Sequence, residues 1–163
     1  MILNELPPFK SQVTAALTGH RALPRTFDDE KLKRTLREVA GRGFEIFLVG
    51  MAVGFDTHAF RALDELKEEG LDIKIYAAIP CLDQASRFTQ KSKEEYDRLV
   101  SRADGKIVLY EKFDDNSECM LVRNRFMVDN ASLLVAYYRG GTQGGTAHTI
   151  HYAEKKGIEI VTL

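Results

Sequence analysis

Gly140, Gly141, Gly144 and Gly145 fall within six residues, interleaved with Thr142 and Thr146, between an apolar run and a stretch of helical character. Glycine permits positive φ and lets a ligand approach the backbone with no Cβ in the way. A helix that starts there offers unpaired N–H groups and the positive end of its dipole, a good cradle for a phosphate. The segment matches neither of two familiar phosphate signatures. Thr146 stands where GxxxxGK[ST] needs Lys, and no GxGxxG follows the first predicted strand, against an ordinary NAD-dependent dehydrogenase. A second turn, Gly50-x-x-x-Gly54, is followed two residues on by Asp56. That carboxylate is either an acceptor for ribose hydroxyls or the N-cap of a helix. A third, Thr18-Gly19-His20-Arg21, sets an imidazole and a cation at a strand end, although His20-Arg21 taken alone reads as a surface pair.

The other polar residues carry less. Arg123-Asn124 lies mid-helix between Leu121-Val122 and Phe126-Met127. The Arg either points to a cleft and pairs with a phosphate or lies on the solvated face, and periodicity does not decide. His148 and His151 have i,i+3 spacing, but no Cys or carboxylate at ligand spacing completes a metal set. Cys81 and Cys119 belong to no paired-Cys motif, and no G-x-S-x-G is present. Neither a metal nor a resident cofactor is expected.

Elements to position these residues follow from the alternation of β-branched runs with amphipathic ones. Strands are predicted over 12–17, 44–49, 73–79, 105–110, 133–138 and 158–163, the third closed by Pro80. Helices are predicted over 28–40, 56–69, 93–102, 117–130 and 146–156, the first capped by Asp28 or Asp29. Residues 81–92 read as an irregular lid or binding loop. The runs 46–49, 133–136 and 158–161 are apolar nearly throughout, as in strands buried on both faces. Residues 1–163 thus read as one α/β domain, Rossmann-like and doubly wound, with a mainly parallel sheet between helix layers. Ligands of such sheets bind beyond the carboxyl ends of the strands, where all three glycine turns fall.

Composition bounds the rest. The 163 residues carry 23 Lys and Arg against 24 Asp and Glu, a net charge of -1. Nucleic acid is therefore disfavoured as a partner, since phosphate neutralisation normally needs a basic excess. No apolar stretch approaches the roughly 20 residues needed to cross a bilayer, and MILNELPPFK has no signal-peptide pattern. A cytoplasmic location is expected.

Taken in order, several segments resemble the SLOG superfamily of Rossmann-like nucleotide-binding domains, above all its YpsA-type branch. They are Thr18-Gly19-His20-Arg21, Gly50-x-x-x-Gly54-x-Asp56, Ile79-Pro80 with Gln84, Phe88 and Tyr96, Arg123-Asn124-x-x-Met127-Val128-Asp129, Leu134–Tyr137, and Gly144-Gly145-Thr146. The resemblance implies a pocket for a nucleotide-type ligand such as an ADP-ribose-like molecule, in a sensor or regulatory role. Gly54 and Asp56 match the branch's glycine and acidic residue. The LONELY GUY phosphoribohydrolases are similar at Met120-x-x-Arg123 and Gly145-Thr146. Where they carry a catalytic Glu, this chain has His148 or Thr149, which leaves Asp56 as the candidate for catalysis. A protein-interaction role in cell division is suggested for some YpsA-type proteins. Related folds often form dimers, so a second copy is the protein partner the likeness implies.

Overall fold

The computed structural model describes residues 9–112, 118–141 and 144–163. Six strands form one all-parallel sheet: β1 (Thr14–Gly19), β2 (Ile46–Val49), β3 (Lys74–Cys81), β4 (Gly105–Tyr110), β5 (Leu133–Tyr137) and β6 (Glu159–Thr162). Five helices connect them: α1 (Asp29–Gly41), α2 (Phe55–Glu68), α3 (Gln90–Arg102), α4 (Glu118–Asp129) and α5 (Gly145–Lys156). The order across the sheet is β4-β3-β2-β1-β5-β6. It is a Rossmann-like α/β fold, and its strand order reverses between β1 and β5, where Thr18 lies opposite Ala136 and Gly19 opposite Tyr137. Among the described residues no helix is long and apolar enough to cross a membrane.

Strand alternation splits the core in two. Ala15, Leu17, Phe47, Val49, Ile75 and Val135 face one way and bury Leu32, Leu36 and Val39 of α1, Phe55, Phe60 and Leu63 of α2, and Leu99 of α3. Ala16, Leu48, Ala78, Leu134 and Ala136 face the other way, against Met127 and Val128 of α4 and Ala153 of α5. Asp28 caps α1, its Oδ1 accepting from the Lys31 N–H at 3.0 Å. Gly157, with φ 74°, ends α5 in the left-handed conformation.

Three expectations change. β3 runs through Pro80 to Cys81. β2 ends at Val49, opposite Ala77, so beyond that point β3 pairs with β4 alone and the missing N–H breaks no ladder with β2. The supposed loop 81–92 is mostly ordered structure: β3 takes Cys81, a 3-10 turn spans Gln84–Arg87, and α3 begins at Gln90, where the Thr89 hydroxyl accepts from the Ser92 N–H at 3.2 Å. β6 is only partly covered, because it is an edge strand.

Candidate functional site

A cavity of about 190 Å³ opens at the β1/β5 reversal, beyond the carboxyl ends of the strands. Its walls come from four parts of the chain: Thr18, Gly19, His20 and Arg21 at and just after the end of β1; Ala52 and Asp56 at the β2–α2 junction; Arg123, Asn124 and Met127 of α4; and Gly144, Gly145 and Thr146 at the start of α5. Residues more than 120 positions apart in the chain thus meet around one hollow.

The charged pair in its wall is buried. Asp56 is 7% exposed and Arg123 is 4% exposed. Burial raises the Asp56 carboxyl from its ordinary 3.8 to about 6, against the pull of the Arg123 charge, the Ala52 N–H and the Arg21 charge. The Ala52 N–H donates to Asp56 Oδ2 at 3.1 Å. Burial also lowers the Arg123 pKa, while the Asp56 charge opposes that effect. The guanidinium is held firmly. Nη1 donates to the carbonyls of Gly50 and Ala78, and Nε donates to Asn124 Oδ1 at 2.8 Å. Arg123 therefore contributes a fixed positive field to the cavity, and Arg21, which is exposed, is the freer cation beside it.

The two helix starts differ. At α5 the N-cap is Gly144, with φ 101°, and among the described residues no side chain caps the first turn. The first residues of this turn, Gly144, Gly145 and Thr146, line the cavity at the positive end of the helix. Thr149 sends its hydroxyl back to the Gly145 carbonyl at 2.7 Å and braces the turn from within. At α2 the Phe55 N–H already donates to the His20 carbonyl at 3.0 Å, and the Asp56 carboxylate occupies the first turn. The α2 start is thus already occupied by protein groups, one of them a carboxylate.

Of the glycines singled out in the sequence, Gly19, Gly144 and Gly145 line the cavity. Gly50 and Gly54 do not line it. A Cβ on Gly50 would lie 2.7 Å from Arg123 Nη1, and one on Gly54, where φ is +82°, would lie 2.1 Å from the Arg21 carbonyl oxygen. Both make room for groups that shape the site. Met51 between them has φ 63°, so this turn carries backbone strain. Gly141 borders a wider hollow beside α4 and α5, with Tyr138 and His148, which shares Gly144 and Gly145 with the cavity. Gly140, also at positive φ, lines neither hollow, and Thr142 lies outside the described residues. His20 is more than a surface group: its Nε2 accepts from the Arg139 N–H at 2.8 Å, and its ring packs edge-on against Tyr137. Sequence reasoning did not pick out Ala52 and Met127 as site residues. Nothing in their type signals a role, and only the crossing of α4 over the strand ends brings Met127 there.

A family model described as the YspA SLOG family matches residues 26–162. A UPF0398 protein of Bacillus thuringiensis (strain Al Hakam) and one of Bacillus cereus (strain Q1) are each 24% identical over 126 residues, covering 77% of this chain and 68% of their own length. Among solved structures, DNA processing protein A from Helicobacter pylori, described for its single-stranded DNA binding mode, matches with a TM-score of 0.67 at 19% identity. That likeness of fold covers 94% of this chain and 66% of the other, so this chain spans just under two thirds of its neighbour. One expectation is overturned here. Nucleic acid was disfavoured on a net charge of -1, but a protein of the same fold binds single-stranded DNA, and net charge says nothing of how charge is distributed around a cleft.

Proposed function

The chain belongs to the YspA SLOG family, and from that premise we propose that it binds a nucleotide or nucleotide-derived ligand, ADP-ribose-like or a nucleoside phosphate, in the β1/β5 cavity. The observation that carries this reading is the meeting of the uncapped start of α5, Arg21 and Asp56 around one hollow at the reversal of strand order. The N–H groups of Gly145 and Thr146 hold a phosphate, with Arg21 closing on it. Asp56, mostly ionised at neutral pH, accepts from ribose hydroxyls. At about 190 Å³ the cavity is smaller than the roughly 300–1,000 Å³ of a complete ligand cleft, so it takes the phosphate and ribose while the base lies beyond it.

Asp56 is the one carboxylate among the described residues lining the cavity, with no second acid to share glycosidic acid–base work. Neither residue matched to the LONELY GUY catalytic Glu lines it: His148 borders the wider hollow and the Thr149 hydroxyl is spent on Gly145. Sensing is favoured over turnover. A second reading, favoured by the DNA-binding structural neighbour, puts a phosphodiester of single-stranded nucleic acid on the same α5 start.

Thermal-shift and calorimetric titrations with ADP-ribose, AMP and a deoxythymidine oligomer test both. A ligand at 100 times its dissociation constant adds about 2.7 kcal/mol to stability. ADP-ribose or AMP is expected to raise the midpoint without release of free base. Release lost in Asp56→Asn supports the hydrolase instead, and stabilisation by the oligomer alone supports the second reading.

A further inference from the structure

The β1/β5 cavity has a neighbour, a hollow of about 150 Å³ that shares Arg21 and Ala52 with it, its wall including Val53, Phe88, Met120 and Gln84 on one hand and the polar Asp83, Ser86 and Arg87 on the other. Gln84 begins the 3-10 turn after β3 and is 5% exposed. Its Nε2 donates to the Gly50 carbonyl at 3.0 Å, the same oxygen that receives Arg123 Nη1. That bond fixes the amide, and it leaves Gln84 Oε1 as a buried acceptor with no hydrogen-bond partner among the described residues. A buried acceptor left unpaired is costly, so a group that occupies this hollow gains by presenting an N–H to it. Phosphate oxygens present none, and the apolar sides formed by Val53, Phe88 and Met120 suit a flat ring better than a sugar.

We propose that this second hollow is the nucleobase subsite and that Gln84 Oε1 selects a base bearing an exocyclic amino group, as adenine does. The proposal rests on the reading that phosphate and ribose occupy the first cavity. Arg21 and Ala52, common to both hollows, mark where the ribose passes from one to the other. Hypoxanthine, which presents a carbonyl oxygen in place of the amino group, meets Oε1 acceptor to acceptor and is rejected. Site groups built to bond a substrate N–H discriminate strongly against an analogue that lacks it.

Calorimetric titration of the wild-type chain with ribose 5-phosphate, AMP and IMP tests this without any substitution. AMP is expected to bind at least about tenfold more tightly than IMP, the loss of one buried hydrogen bond with its partner left unpaired. Purine ribonucleoside 5′-phosphate, with hydrogen in place of the amino group, should fall with IMP. In Gln84→Met the AMP preference should shrink to within about twofold. AMP and IMP binding equally to the wild type, or an undiminished preference in a folded Gln84→Met, overturns the base subsite. Ribose 5-phosphate that binds while bases go undistinguished overturns this proposal alone. Failure of both ribose 5-phosphate and AMP to bind removes the nucleotide reading, and this subsite with it.

Discussion

Asp56→Asn should make the protein more stable at neutral pH while weakening its grip on ligand. Burial holds the folded Asp56 carboxyl at about 6, above its ordinary 3.8. An acid whose value is higher in the fold than in the unfolded chain favours the fold while protonated. That contribution is whole below pH 3.8 and is lost as the pH rises through about 6. At about 1.4 kcal/mol for each pH unit between the two values, ionising Asp56 inside the fold costs up to about 3 kcal/mol by pH 8. Asn keeps the shape and the acceptor for the Ala52 N–H and carries no charge. The attraction between Asp56 and Arg123 is already contained in that balance, since it is one of the influences that hold the value down to about 6. Asp56→Asn is therefore expected to gain up to about 3 kcal/mol at pH 8, roughly 6–12 °C in Tm for a chain of this size, and almost nothing at pH 4. Urea unfolding of both proteins at pH 4, 5, 6, 7 and 8, followed by circular dichroism, reads the difference directly. A difference that stays constant with pH, or a variant less stable at pH 8, refutes the reasoning. In the same variant ADP-ribose affinity should fall about tenfold, because an amide cannot accept from ribose hydroxyls as a carboxylate does.

Gly145→Val should fold with nearly the wild-type Tm and lose ADP-ribose binding by calorimetry. Among the described residues a Cβ there meets only Asn124 Nδ2 at 3.7 Å, at ordinary φ, while the larger side chain invades the cavity. Gly54→Ala should behave oppositely and lose at least about 2 kcal/mol in urea unfolding, since the position combines φ +82° with a 2.1 Å approach to the Arg21 carbonyl. Arg123→Met should lose about 3–5 kcal/mol, because it leaves buried Asp56 without its opposing charge and takes a donor from the Ala78 carbonyl. In that variant carbon-13 NMR of the Asp56 carboxyl should show it titrating above about 6, because the opposing Arg123 charge is gone.

Much of the scaffold was legible because its signals are local. Asp28 ahead of Leu32, Leu36 and Val39 announces a capped helix with one buried stripe, and α1 has both features. β5 is apolar throughout and is buried along its whole length. Readings that depended on neighbours fared worse. Pro80 ends a strand only if both flanks are paired, and here β2 has already stopped. The apolar run before Leu163 resembles β5 in composition, yet its place at the sheet edge leaves it half covered. α4 is the sharpest case. Cys119, Arg123, Asn124, Met127 and Val128 are all buried, because the helix packs against the sheet, against α5 and over the cavity at once. A helix enclosed on several sides carries no single apolar stripe, so periodicity could not say which way Arg123 pointed.

The glycines show the same limit in chemical terms. All three strand-end turns read as lining a ligand site, since each brings glycine to the carboxyl end of a strand. In the fold the absent Cβ has two uses. At Gly19 the space is filled by the Phe55 ring, at Gly50 by the Arg123 guanidinium and at Gly54 by the Arg21 backbone, with the would-be Cβ 2.1 to 2.7 Å from each. Among the described residues nothing lies within 4 Å of a Cβ at Gly144, and only Asn124 does at Gly145. A glycine in sequence states that a Cβ is not tolerated or not needed, and it is silent on which. The difference lies in what the rest of the chain brings to that spot. Gly50 and Gly54 let protein groups come close enough to set the field and shape of the cavity, and Gly144 and Gly145 leave it open to an anion. Bulk added to the first group should therefore act on stability, and bulk added at Gly145, which has an ordinary φ, on binding.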